Sequence, residues 1–156
     1  MAADASRAAV VVRYLTARRG LPAAASFRRW VDAALLASSH KGKAELGIRL
    51  VAGAEGRALN KRYRGQNRAT NVMSFPAELP RGIDVPLLGD LVLCVTVVAR
   101  EARARCKPLN DHYAHLTIHG VLHLLGHRHD DDRQARRMES LETRILADLG
   151  IGDPYA

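Results

Sequence analysis

The hydrophobic and polar positions change period several times along this chain. Ala8 to Tyr14 is short and β-branched, the pattern of a buried strand. After Gly20, Leu21 and Pro22, apolar Phe27, Trp30, Val31, Ala34 and Leu35 recur at helical spacing, with Ser26 as the expected N-cap. Leu46, Ile48 and Leu50 alternate with Gly47 and Arg49, which predicts a second strand with one solvated face. A helix is predicted from about Ala54 to Tyr63 and a third strand from Asn71 to Phe75. Pro76 to Pro86, with three prolines and one glycine, is predicted as a loop.

The run LLGDLVLCV that follows predicts a fourth strand, with Gly89 and Asp90 marking a close approach or bulge near its start. Helices are predicted for Thr96 to Cys106, Asp111 to Leu125 and about Asp132 to Leu149. The last carries Met138, Leu141, Ile145 and Leu149 on one face, a stripe that predicts core packing alone. Strands come early and helices late, without repeat, low-complexity tract or linker. The expectation is therefore one α+β domain over residues 1–156, with a roughly four-stranded sheet and helices mainly over one face.

Charge changes the picture first. Lysine and arginine outnumber aspartate and glutamate by 24 to 16, a formal +8, which favours a polyanionic partner, nucleic acid ahead of an anionic membrane surface. The early apolar run AAVVV is too short for a signal segment or a membrane span. Cys94 and Cys106 form no CxxC pair; both are expected to be buried, inert thiols in a reducing, cytoplasmic compartment, with no disulfide-linked partner and no membrane partner.

Six of the seven histidines fall between His112 and His129. His119 and His123 stand one helical turn apart, so their imidazoles share a face and can converge on one ion. His127 continues that series, but on an unbroken helix it would lie about 12 Å along the axis from His119. Gly126 is the residue expected just past a helix end, where it can reverse the chain, and His129 then swings back as the third ligand. Three imidazoles and an open position are the pattern of catalytic zinc, so one Zn²⁺ is expected on this helix and the turn after it. A zinc protease would place glutamate directly after the first histidine as general base; here that position is Gly120, which disfavours peptide hydrolysis. His112 and His115, earlier on the same helix, are expected to pack or hydrogen-bond.

A second constellation is LNKRYRGQNRATNVMSFP, where Arg62, Arg64 and Arg68 crowd a helix end and the turn into a strand. Arginine's planar fork suits phosphate oxygens. This segment, LLGDLVL and HGVLHLLGHRHDDD together resemble the YbeY family of bacterial metal-dependent endoribonucleases, also called rRNA maturation factors, over about Leu46 to Tyr155. The resemblance implies an α+β fold, a three-histidine metal site on His119, His123 and His129, and a functional arginine at Arg64. It implies single-strand-specific RNA cleavage, maturation of the 3′ end of small-subunit ribosomal RNA, and a part in ribosome quality control. The implied partners are ribosomal RNA and the small ribosomal subunit or its assembly factors. Where the family reads Gly-Tyr-Asp-His, this chain has Gly126-His127-Arg128-His129, removing a carboxylate that could orient a ligand.

In the expected mechanism the metal polarises a phosphate oxygen or activates water while Arg64 offsets transition-state charge. Metal-bound water, the RNA 2′-hydroxyl and Asp130 all stand as candidate bases. Arg62 and Arg68, with Arg100, Arg103 and Arg105, are candidates for tracking the RNA backbone. Only 4% of residues are aromatic, so few base-stacking platforms are expected. The rival functions are a zinc hydrolase with another substrate and a non-enzymatic ribosome-assembly factor with a structural metal.

Overall fold

The computed structural model describes residues 8–83 and 85–156, so Asp84 of the predicted loop lies outside it. The elements run β1 (Ala8–Tyr14), α1 (Ala24–Ala37), β2 (Ala44–Val51), α2 (Gly53–Arg64), β3 (Val72–Pro76), β4 (Leu87–Cys94), α3 (Val95–Ala104), α4 (Leu109–Leu124) and α5 (Asp132–Asp148). The strands form one sheet in the order β1-β2-β4-β3. β1, β2 and β4 run parallel, and β3 returns antiparallel to β4 at the sheet edge. The sheet's middle is apolar on both faces, which is why β4 ends in the unbroken run Leu91 to Cys94, all buried.

The larger core lies on the face covered by α1, α4 and α5, where Phe27, Leu35, Ile48, Leu91, Leu93, Ile118, Leu122 and Ile145 pack together. Phe27 meets Trp30 and Tyr113 edge to face, at centroid separations of 5.2 and 6.0 Å. On the other face a small cluster of Val51, Met73 and Val92 takes Leu59 of α2 and Phe75. The α+β architecture with helices mainly on one face is thus as expected.

Four details differ from the sequence expectations. α1 begins at Ala24, capped by the extended backbone of Ala23; Ser26 already lies in its first turn, because Ala24 and Ala25, the best helix formers, carry the helix past it. Pro76 belongs to β3 rather than to the loop: at a sheet edge a proline whose missing N–H would face outward costs no ladder bond. Cys94 is buried but Cys106 is exposed, on the turn after α3 at φ 52°. The inner face of α5 buries Met138, Ile145 and Leu146, and with them the carboxylate of Glu142. That stripe is therefore more than core packing.

Gly89 does what its position predicted. The β2–β4 register slips between Glu45 and Leu46, and Gly89 sits at φ 144° against β3, where an added Cβ would overlap the carbonyl oxygen of Phe75. Among the described residues no helix is long and apolar enough to cross a membrane. Gly89→Ala is expected to lower unfolding free energy by at least about 2 kcal/mol, through backbone strain and the β3–β4 clash. Urea denaturation checks this; an unchanged midpoint would mean β3 is free to yield.

Candidate metal centre

α4 runs between the sheet and α5, with most of its surface from His112 to Leu122 buried. Its last turn emerges at a cleft of about 730 Å³, bounded by β3, the end of α2 and the C-terminal segment. The helix stops at Leu125. Gly126 follows at φ 96°, its N–H bonding His123 O at 3.0 Å while the N–H of His127 bonds Leu122 O at 3.0 Å. This paired closure is the glycine-dependent helix end that reverses the chain.

The reversal returns His129 to the helix. Its ring centroid lies 4.7 Å from that of His123 and 5.7 Å from that of His119. His119 Nε2 and His123 Nε2 are 3.1 Å apart, and the three imidazoles present ligand atoms all within 4.8 Å of one another. Two nitrogens on a tetrahedral zinc would stand about 3.4 Å apart at usual bond lengths, so the set fits such an ion. His127 is not part of this convergence.

His123 is half-buried, and burial together with the neighbouring imidazoles of His119 and His129 lowers its pKa to about 4. It is neutral at pH 7, with a lone pair to offer. Gly120, the position a protease would fill with glutamate, faces the sheet: a Cβ there would come within 2.8 Å of Leu91 Cδ2 and 3.3 Å of Ser74 Oγ. Close packing, not only the absence of a carboxylate, excludes a base at this position.

Arg64 is the last residue of α2 and lines the same cleft as the three histidines. Gly65 ends the helix at φ 70°, and buried Asn60 donates from Nδ2 to Arg68 O at 2.7 Å, holding the returning loop against it. Arg62 and Arg68 do not line the cleft. Arg62 lies 5.3 Å from the Tyr63 ring centroid, and the guanidinium of Arg68 bonds Gln66 Oε1. Of Arg100, Arg103 and Arg105, only Arg105 reaches the cleft wall. No described residue lining the cleft is acidic.

The family model described as Endoribonuclease YbeY matches residues 20–150. The chain belongs to the YbeY family. It is 60% identical over 154 residues to a Stenotrophomonas maltophilia protein named Endoribonuclease YbeY, covering 94% of this chain and 92% of that one. A protein of the same name from Alkalilimnicola ehrlichii is 57% identical over 155 residues, covering 97% and 93%. The solution structure of TM1509 from Thermotoga maritima has the same fold, at a TM-score of 0.57 and 22% identity over 90% of this chain and 92% of that one.

Sequence reasoning missed two residues that support this histidine cluster. Glu142 of α5 is fully buried beneath the histidines, with Oε1 on His119 Nδ1 and Oε2 accepting from the Tyr155 hydroxyl. Burial by itself would raise its pKa, but hydrogen bonds from His115, His119 and Tyr155 outweigh burial and bring it down to about 2. A carboxylate that orients one of the three imidazoles is thus present on another helix. Burial and the Glu142 charge push the Tyr155 phenol up, so it remains a donor. A glutamate inside an apolar stripe was the available signal for the first; for the second there was none.

His112 and His115 line the inner end of the cleft, and each has a hydrogen-bond partner within the protein. His112 Nε2 pairs with Glu101 Oε1 at 3.0 Å, and that oxygen also accepts from Asn71 Nδ2 at 3.0 Å, which ties α3, α4 and the start of β3 together. His115 Nε2 lies 3.2 Å from the Tyr155 hydroxyl. Because the His123 pKa is lower folded than unfolded, its contribution to stability is present above about pH 6.5 and lost as pH falls toward 4. Metal-free protein should therefore weaken steadily over that window in urea titrations. His123→Gln should flatten the slope, and an equally steep slope in that variant would reject this assignment.

Proposed function

We propose that this chain is a metal-dependent endoribonuclease that cuts single-stranded RNA, with the 3′ end of small-subunit ribosomal RNA as its substrate and zinc as its ion. The observation that carries the reading is the meeting of three imidazoles and the Arg64 guanidinium in one cleft without an acidic lining residue. Such a cleft attracts a phosphodiester and repels nothing in it. Membership of a family whose relatives are named endoribonucleases supports the reaction class.

His119, His123 and His129 would hold the ion, which when bound supplies a Lewis acid and lowers the pKa of water at neutral pH. Glu142 accepts from His119 Nδ1, which fixes that ring's tautomer and leaves Nε2 turned toward the other imidazoles. Tyr155, by donating to the second carboxylate oxygen, holds Glu142 in that orientation. Arg64 binds a non-bridging phosphate oxygen and offsets the charge that grows there. Asp130 follows directly after His129, exposed and 3.5 Å from the Arg128 guanidinium, within the same turn. The ribosomal particle and a cytoplasmic setting belong to this reading as the context in which the RNA is met.

Precursor small-subunit ribosomal RNA incubated with purified protein should be cut only after metal is restored to chelated wild type. His123→Ala should not cut it, and Arg64→Ala should lose roughly 100-fold or more with metal content unchanged. Equal cutting by wild type and His123→Ala would refute the assignment. Glu142→Gln should weaken metal affinity by about 10- to 100-fold in competition with a chromogenic chelator. Unchanged affinity would show that Glu142 serves the fold alone.

A further inference from the structure

Beside the histidines, the cleft holds an aromatic pair that the mechanism above does not use. Tyr63, next to Arg64, is 56% exposed. Phe75 of β3 meets it edge to face at a centroid distance of 5.1 Å, and both rings line the cleft. Phe75 thereby braces Tyr63 from the side, at the mouth of the cleft. The Arg62 guanidinium lies over one face of the Tyr63 ring, 5.3 Å from its centroid, which leaves the opposite face for a stacked base.

The edge of β3 adds a second, independent feature. Cys94 N–H bonds Asn71 O and Ala77 N–H bonds Leu88 O, so the antiparallel alternation turns the peptide groups of residues 71, 73, 75 and 77 toward β4. Those of Val72 and Ser74 turn outward. Val72 N–H is closed by Asn71 Oδ1 at 2.6 Å. Ser74, whose side chain bonds Gly120 O at 3.3 Å, is left with its N–H and C=O facing away from β4 on a cleft-lining residue.

Resting on the nuclease reading, we infer that Tyr63, braced by Phe75, and the open peptide edge at Ser74 form a subsite for one unpaired nucleobase beside the scissile phosphate. A base offers a stacking face and a pairing edge with adjacent donor and acceptor, and in a duplex both are already used. The subsite therefore selects single strands by what the base has free. Phosphate charge would be met separately by Arg64 and Arg105 at the cleft wall.

The test is binding of a short single-stranded oligouridine and of its abasic counterpart, which keeps every phosphate, to protein carrying His123→Ala so that nothing is cut. With Tyr63 present, removing the bases should weaken binding roughly tenfold. Tyr63→Leu should bind the two RNAs alike, while Tyr63→Phe, which keeps the ring, should preserve the ratio; thermal melts confirm that each variant is folded. An undiminished ratio in Tyr63→Leu would overturn the subsite and leave the nuclease reading intact. Failure of both RNAs to bind with Tyr63 in place would overturn the subsite and the nuclease reading together.

Discussion

A carboxylate with no exposure to water sits under the histidines, and the arrangement of the C-terminal half depends on it. Burying the Glu142 charge costs several kcal/mol unless the group is fully paired. It is paired: His119 and Tyr155 take its two oxygens, with His115 beside them. Those partners come from α4 and from the chain's last residues, so one charge fastens α5, α4 and the C-terminal segment to each other. The same bond orients His119, which makes the packing of the domain and the aim of its imidazole a single interaction.

The position of α4 follows from the sheet. Gly120 lets the helix lie close to Leu91 and Ser74, and this approach brings the last turn of the helix to the edge strand β3. A side chain at that point would separate the two, widening the distance between the histidines and Arg64 on the far wall. Likewise Gly89 admits the carbonyl of Phe75, seating β3 flush against β4. Small residues thus set the width of the cleft, and larger ones furnish its chemistry.

Charge is segregated by depth. The acidic groups that support the site, Glu142 and Glu101, are held beneath or behind the cleft lining with their oxygens turned to histidine, while Arg64 and Arg105 stand on its wall. An anionic substrate meets positive charge first and finds the carboxylates already satisfied. His123 stays uncharged through burial and the company of two imidazoles, so the cluster keeps a neutral imidazole within a basic surface.

Local signals in the chain were enough for much of this. Helical spacing placed His119 and His123 on one face, and Gly126 announced the reversal that brings His129 back, because both depend on backbone geometry within a dozen residues. Apart from the start of α1, period changes located the strands and helices to within about two residues, and Gly89 marked its own tight contact. Ser26 is not the N-cap because the alanines before it extend the helix, and Cys106 is exposed because burial depends on what packs above a residue. Whether Arg64 or its neighbours would face the histidines was decided only when α2, β3 and α4 met across the sheet. The apolar stripe could at most have marked Glu142 as out of place; its contacts, and Tyr155 altogether, belonged to the tertiary structure, because their partners lie 13 to 40 residues away and no periodicity encodes a contact made between elements.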